Sequence, residues 1–380
     1  MRDFNYLKTI WIADAVKDTV VAQRVASRVG AQTRVEYIAD PASLMAERQR
    51  AGSPLDHQSE LLVHTSPGRW IASCPGSDGM VCCQYFVINF GLGCLFDCHY
   101  CYLQTFLNNP LMSIFANLED LYAELEEKTR GRNFHFRIGT GEYTDSLVLE
   151  ELTGIGSELV RWFAGRPNLT LELKTKSTCI DPLLDLDHRG NTVLAWSLNP
   201  QVVIDTVEDH TASLAARLEA AARAGQAGYR LAFHLDPLIA ILEWRQEYKS
   251  MLDQVFASID PDQIAWISIG SFRYSPGLKE RIQSRFIDDQ LTRAEMVQGA
   301  DGKLRYFKTI RAEMYRAIKS WIEAVDPGLF TYLCMETRHM WQGVYGYAPE
   351  NARNLDAGFE RRRQTMLAHQ TGYTADPMQS

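Results

Sequence analysis

The feature that most restricts what this chain can fold into is a long alternation that begins near residue 85. Short runs rich in aliphatic, aromatic and β-branched residues occur at Tyr85–Phe90, Phe134–Gly139, Thr170–Thr175, Thr192–Ser197, Tyr229–Leu235, Ile264–Gly270 and Phe330–Met335. Segments of helical character separate most of them. The clearest helix is predicted over 212–224, where Leu214, Leu218 and Ala221 share one face, Thr211 stands at the N-cap position and Gly225 at the stop. Strands that alternate with helices build βα units around a parallel sheet. Six or seven such units predict an α/β chain whose main body is a partial (β/α) barrel of the TIM type, with its chemistry at the C-terminal ends of the strands. At 380 residues there is room for appendages. Residues 1–70 read as a small N-terminal α/β appendage closed by the loop-like AGSPLDHQSE, 71–340 as the barrel, and 341–380 as a C-terminal tail. The aromatics Trp341, Tyr345 and Tyr347 are expected to dock part of that tail, and its last ten residues are expected to be disordered.

No stretch approaches the roughly 18 apolar residues that cross a bilayer. The N-terminal MRDFNYLKTIWIADAV has charges where a signal peptide has an apolar run. A cytoplasmic location without membrane contact is therefore expected. The net charge of −8 argues against a broad nucleic-acid-binding face, which is normally basic, and leaves room for a local basic groove. Eight cysteines without a secretion signal read as thiols and metal ligands rather than as a disulfide framework.

Six of those cysteines, Cys74, Cys82, Cys83, Cys94, Cys98 and Cys101, are crowded together, while Cys179 and Cys334 stand alone. The segment GLGCLFDCHYCYLQ spaces Cys94, Cys98 and Cys101 as C-x3-C-x2-C. Three thiolates hold three irons of a [4Fe–4S] cube and leave the fourth open to a small molecule, whereas electron-transfer clusters have four cysteines. The motif follows a β run, and Gly91 and Gly93 allow a tight turn into it, so the cluster is expected at the top of the first barrel strand. The competing reading is a zinc site, for which His99 or Cys83 would supply a fourth ligand.

This spacing after a strand resembles the radical SAM superfamily, and within it the spore photoproduct lyase family. CHYCYLQT (98–105), KTKSTCIDPLL (174–184), WSLNPQVVI (196–204), AARLEAAARAGQAGYRLAFHLDPLI (215–239), FRYSPGLKERIQSRF (272–286) and RYFKTIRAEMYRAI (305–318) extend the resemblance in order through most of 70–335. It implies a radical SAM barrel in which S-adenosylmethionine (SAM) is bound at the cluster and cleaved to a 5′-deoxyadenosyl radical. A reductant such as flavodoxin or ferredoxin is implied as partner, and a DNA lesion as substrate. Carried over by position, Tyr100 lies near the adenine, Lys176 and Ser197 contact SAM from strand ends, and Tyr102 relays a hydrogen atom. A solvated lysine, a strand-end cap and an aromatic packed beside the cluster are the plainer alternatives. Gly139, Gly141 and Glu142 in FRIGTGEYTDSL resemble the Gly-Gly-Glu motif that receives the SAM ammonium. The same stretch departs from the lyase, which has its hydrogen-donating cysteine there; this chain has none between Cys101 and Cys179.

His234 and Asp236 in FHLDP, and Arg273 and Tyr274 after the next strand, are candidates for substrate contact. Arg305 and Tyr306 form a basic-aromatic pair suited to a phosphate or a base, or are ordinary surface residues. Cys74, Cys82 and Cys83 read as structural thiols, with an auxiliary cluster or a substitute hydrogen donor as alternatives. Three functions follow: a radical enzyme acting on a nucleic-acid lesion or modified nucleotide, one acting on a small molecule or peptide, and a non-catalytic iron–sulfur or zinc protein that binds nucleic acid.

Overall fold

A computed structural model describes residues 4, 6–51, 59–74, 76–77, 79–83, 85–132 and 134–371. Most of the loop read in AGSPLDHQSE and nearly all of the tail end read as disordered lie outside the described residues. The chain divides into two compact units, one of residues 1–75, 85–192 and 209–211, the other of residues 76–84, 193–208 and 212–380. The eight strands of a partial (β/α) barrel fall four to each unit.

The first unit opens with β1 (Thr9–Ala13), α1 (Val20–Arg28), β2 (Arg34–Ile38) and β3 (Glu60–His64). β1 lies parallel to both β2 and β3, and Ile10, Ile12, Leu61 and Val63 are fully buried. Thr19 caps α1 by accepting the Ala22 N–H at 3.3 Å. The chain continues through β4 (Ile71–Ser73), β5 (Phe86–Ile88), β6 (Gly91–Leu92), β7 (Met112–Phe115), α2 (Leu118–Thr129), β8 (Phe136–Gly139), α3 (Ile155–Ala164) and β9 (Leu169–Thr175). β5, β8 and β9 run parallel as barrel strands, with β4 antiparallel on the edge. β7 instead joins the N-terminal sheet, parallel to β3, and β6 pairs antiparallel with it.

The second unit holds β10 (Thr192–Ser197), α4 (Leu214–Gln226), β11 (Arg230–Leu238), α5 (Trp244–Ser258), β12 (Ile264–Ser271), α6 (Lys308–Glu323), β13 (Thr331–Leu333) and α7 (Ala352–Thr371). Its four strands are parallel in the order β10-β11-β12-β13. Every residue of β10 and β12 is buried, the unbroken apolar run of strands covered on both faces.

Each of the seven predicted runs contains a strand. The α4 boundaries differ from the expectation: Ser213, not Thr211, accepts the Ala216 N–H as N-cap, and the helix runs through Gly225. Gly225 is a close-approach residue rather than a stop, because a Cβ there would meet the Gln263 amide at 2.9 Å. The left-handed turn comes later, at Gly228. In the tail, Phe359 of α7 packs against the rings of Trp266, Phe330 and Tyr332, and Arg362 donates to the carbonyls of Ile264 and Pro261. Among the described residues no helix is long and apolar enough to cross a membrane.

Candidate active site

The cysteine loop does not leave a barrel strand directly. After β5 ends at Ile88 the chain pairs Gly91 and Leu92 with Ile114 and Ser113 of β7, and only then enters Cys94. Cys98 is buried, Cys94 and Cys101 are half-buried, and the Cys101 N–H donates to the Cys98 carbonyl at 3.0 Å. The Gln104 amide ties the turn by donating to the His99 carbonyl at 2.8 Å. His99 Nε2 lies 3.1 Å from Asp209 Oδ2.

The Cys94 sulfur accepts the Phe96 N–H at 3.4 Å. Burial, reinforced by Asp145 and Cys101, pushes its thiol up to about 12. A bound cation reverses that balance, because coordination deprotonates a thiol outright. Three cysteines in one loop are the donor set that a [4Fe–4S] cube with one open iron would take, each thiolate on a different iron.

The loop after β8 faces this one within the same unit. Tyr102 Oη donates to the carboxylate Oε1 and to the carbonyl of Glu142, each at 2.9 Å. Burial, then the Glu142 charge, holds the Tyr102 phenol well above its ordinary acidity range. Tyr102 also leans on Phe106, whose ring stacks on Tyr143 at 5.4 Å. The two glycines of the Gly139–Glu142 motif make room for the protein itself: a Cβ on Gly139 would meet the Tyr85 ring at 2.6 Å, and one on Gly141, at φ +86°, would meet Ser146 Oγ at 2.9 Å. Lys176, one residue past β9, stands with Nζ 5.5 Å from the centre of the Tyr100 ring. Cys74 follows β4 and lies near enough to Tyr143 to act on its phenol.

The other candidates belong to the second unit. Ser197 ends β10, buried, with its carbonyl accepting from Arg217 at 2.8 Å. His234 lies within β11 and its carbonyl accepts the Leu198 N–H. Asp236 and Arg273 answer each other through two bonds of 2.9 and 3.2 Å, and Arg273 also reaches Met335 Sδ. Tyr274, Arg305 and Tyr306 are buried, not surface residues: Arg305 is clamped on Asp301 through both terminal nitrogens. Cys83 is buried and Cys82 half-buried.

Two groups of residues went unread in the sequence. Asp145 binds the loop after β8 to the end of β9, and Arg217, Glu208 and Asn199 form a buried network under Ser197. Neither has a recognisable spacing signature: Asp145 meets partners about thirty residues on, and Glu208 meets Asn199 and Arg217, each nine positions away.

The family model described as spore photoproduct lyase matches residues 80–328. The spore photoproduct lyase of Bacillus subtilis (strain 168) is 27% identical over 252 residues, covering 64% of this chain and 74% of that protein. That of Geobacillus sp. (strain Y412MC61) is 26% identical over the same length and coverage. Two solved structures share the fold: a cysteine-to-alanine mutant of spore photoproduct lyase with dinucleoside spore photoproduct (22% identity, TM-score 0.73), and a double mutant with bound AdoMet and the same dinucleoside (21%, 0.73). Each covers 86% of this chain and 98% of its own. With a family model spanning most of the barrel, the chain belongs to the spore photoproduct lyase family of radical SAM enzymes.

Proposed function

We propose that this enzyme holds a [4Fe–4S] cluster on Cys94, Cys98 and Cys101, binds SAM beside it, and acts on a nucleic-acid lesion or modified nucleotide. The observation that carries the reading is the meeting, in one unit, of the cysteine loop with the two strand ends that bear Glu142 and Lys176. When bound, the cluster and SAM supply a 5′-deoxyadenosyl radical.

The chain's own residues then have separate tasks. Glu142 offers a carboxylate to the SAM ammonium and Lys176 an ammonium to the SAM carboxylate, each a charge-assisted bond. Gly139 and Gly141 let the loop that bears Glu142 pack close. Tyr100 lies under Lys176 as the flat neighbour for adenine, and Ser197 is assigned to SAM by the resemblance. Tyr102, with its proton on Glu142, is the candidate relay. In the second unit Asp236 and Arg273 form a mutually oriented pair for substrate contact with His234. Tyr274 and Arg305, being buried, act behind that pair rather than on the substrate. A flavodoxin- or ferredoxin-type reductant and a cytoplasmic setting complete the reading.

A small molecule or peptide is the second reading. It is favoured by the burial of Arg305 and Tyr306, which removes the basic-aromatic patch a nucleic acid would use, and by the net charge of −8. The non-catalytic reading has no support once the family is known. Anaerobic reconstitution with SAM and dithionite tests the proposal: release of 5′-deoxyadenosine by the wild type, and none by the Cys94→Ala, Cys98→Ala and Cys101→Ala variants, is expected. Cleavage that survives in any of the three overturns the ligand assignment. Salt-dependent binding of a lesion-bearing oligonucleotide supports the first substrate class, and its absence supports the second.

A further inference from the structure

An aromatic ledge runs outward from the loop that carries the third cysteine. Tyr102 and Phe106 flank the single helical turn Leu103–Phe106, and the Phe106 N–H donates to the Tyr102 carbonyl at 3.1 Å, which sets both rings on one face. Their centroids are 5.6 Å apart, and Phe106 stacks in turn on Tyr143 of the loop after β8, 5.4 Å away and 17° from parallel. Phe106 is nonetheless 56% exposed and Tyr102 37%, while Tyr143 is half-buried. The inner end of the ledge is anchored, because Tyr102 Oη donates to the carboxylate and to the carbonyl of Glu142. Two loops about forty residues apart thus bring three rings together and leave much of the ring surface in water.

A ring that only closed the gap between two loops would be buried, as Phe136 is at the start of β8. The exposed faces are flat and apolar, and the charge at their inner end is the Glu142 carboxylate. That carboxylate repels a phosphate, so a nucleotide meets the ledge with its base turned inward. A base is flat, and every base has a π-face that continues a stack. We infer that Phe106 and Tyr143 form a stacking subsite for one unpaired nucleobase of the substrate, beside the Tyr102–Glu142 pair. The inference rests on the nucleic-acid reading and deepens it: the subsite takes a base from a single strand or a flipped-out nucleotide, and selects against a duplex whose bases are already stacked.

A single-stranded tetranucleotide with 2-aminopurine at one position serves as the probe for the anaerobically reconstituted full chain, because stacking quenches the emission of that base. The wild type is expected to bind and quench it. Phe106→Leu keeps the apolar bulk and removes the ring, so affinity is expected to fall about fivefold to a hundredfold and the quenching to fade. Phe106→Trp is expected to restore both. The loss is expected to be the same at low and high salt, since stacking releases no counterions. Phe134→Leu is the control: that ring is 52% exposed in the same unit but precedes β8 and packs on Phe136 at 4.0 Å, and its affinity is expected to match the wild type. A ring that merely braces two loops would lower the melting temperature on truncation and leave probe binding unchanged. Wild-type affinity and quenching in Phe106→Leu, or an equal loss in Phe134→Leu, overturn the subsite alone. Should Phe106→Leu fail to fold, Tyr143→Leu takes its place with the same expected loss. A wild type that cleaves SAM but binds no tetranucleotide, or that binds an aromatic peptide through Phe106 instead, overturns the nucleic-acid reading and the subsite with it, so the two failures are told apart.

Discussion

The heaviest structural demand in the second unit falls on a buried ion pair, and removing one half of it gives the sharpest prediction. Arg217 and Glu208 have no exposed side-chain surface and meet at 2.6 Å. Arg217 also donates to the carbonyls of Ala212 and Ser197 at 2.9 and 2.8 Å. Beyond Glu208 the network continues through Asn199 to Tyr248, whose hydroxyl accepts the Ile239 N–H at 2.7 Å. Arg217→Met fills similar volume but strands the Glu208 charge and two carbonyls in a dry interior. Breaking one side of such a pair costs about 3–5 kcal/mol. For a unit of this size each kcal/mol is worth roughly 2–4 °C, so the melting transition is expected to fall by roughly 6–20 °C. The charge, not the shape, is the source of the cost, so Arg217→Met/Glu208→Gln is expected to recover several degrees. Thermal unfolding of the apo-protein, followed by circular dichroism under anaerobic conditions, measures both. An Arg217→Met protein that melts within about 2 °C of wild type, or a double variant no better than the single, refutes the reasoning.

Glu142→Gln and Lys176→Ala are expected to retain full iron while weakening SAM about tenfold to a hundredfold, the loss of one charge-assisted bond each; equilibrium dialysis showing unchanged affinity in both counts against their assigned role. His64 is half-buried, and burial lowers its ring to about 4 from an ordinary 6.5. The folded state therefore favours the neutral ring, so this contribution to stability is complete above pH 6.5 and is lost as the pH falls through about 4. His64→Phe is expected to flatten the acid limb of the denaturation midpoint over that window, and identical slopes in the two proteins would contradict it. Spore photoproduct repair is expected to be poor even where SAM cleavage is brisk, because Gly139–Tyr143 contains no thiol and Tyr102 commits its proton to Glu142. An anaerobic assay with dinucleoside spore photoproduct checks this, and abundant repaired dithymidine would sink it.

What was legible in the sequence was whatever neighbours along the chain determine. The seven strands appear where the apolar runs stand, because a strand buried on both faces must be apolar throughout. The cysteine triad was legible for the same reason: its three members lie within one loop, so their spacing is their geometry. Even the helix error at Gly225 was a local one, a glycine demanded by Gln263 rather than by a turn.

Contacts between distant segments were decided by the tertiary structure alone. Tyr102 and Glu142 were each singled out for separate tasks, yet they are bonded to each other across 40 positions. Asp145 drew no attention because its importance comes from Thr175 and Lys176, about thirty residues on. The RYFK patch looked like a basic surface, but burial and the Asp301 carboxylate turn Arg305 into a structural ion. β7, following the cysteine loop, was expected in no sheet and pairs with β3, its Met112 opposite Leu61. A chain's own period and spacing follow from backbone geometry. Which charge is answered, and by whom, depends on packing that brings remote residues out of water together, and no local pattern records it.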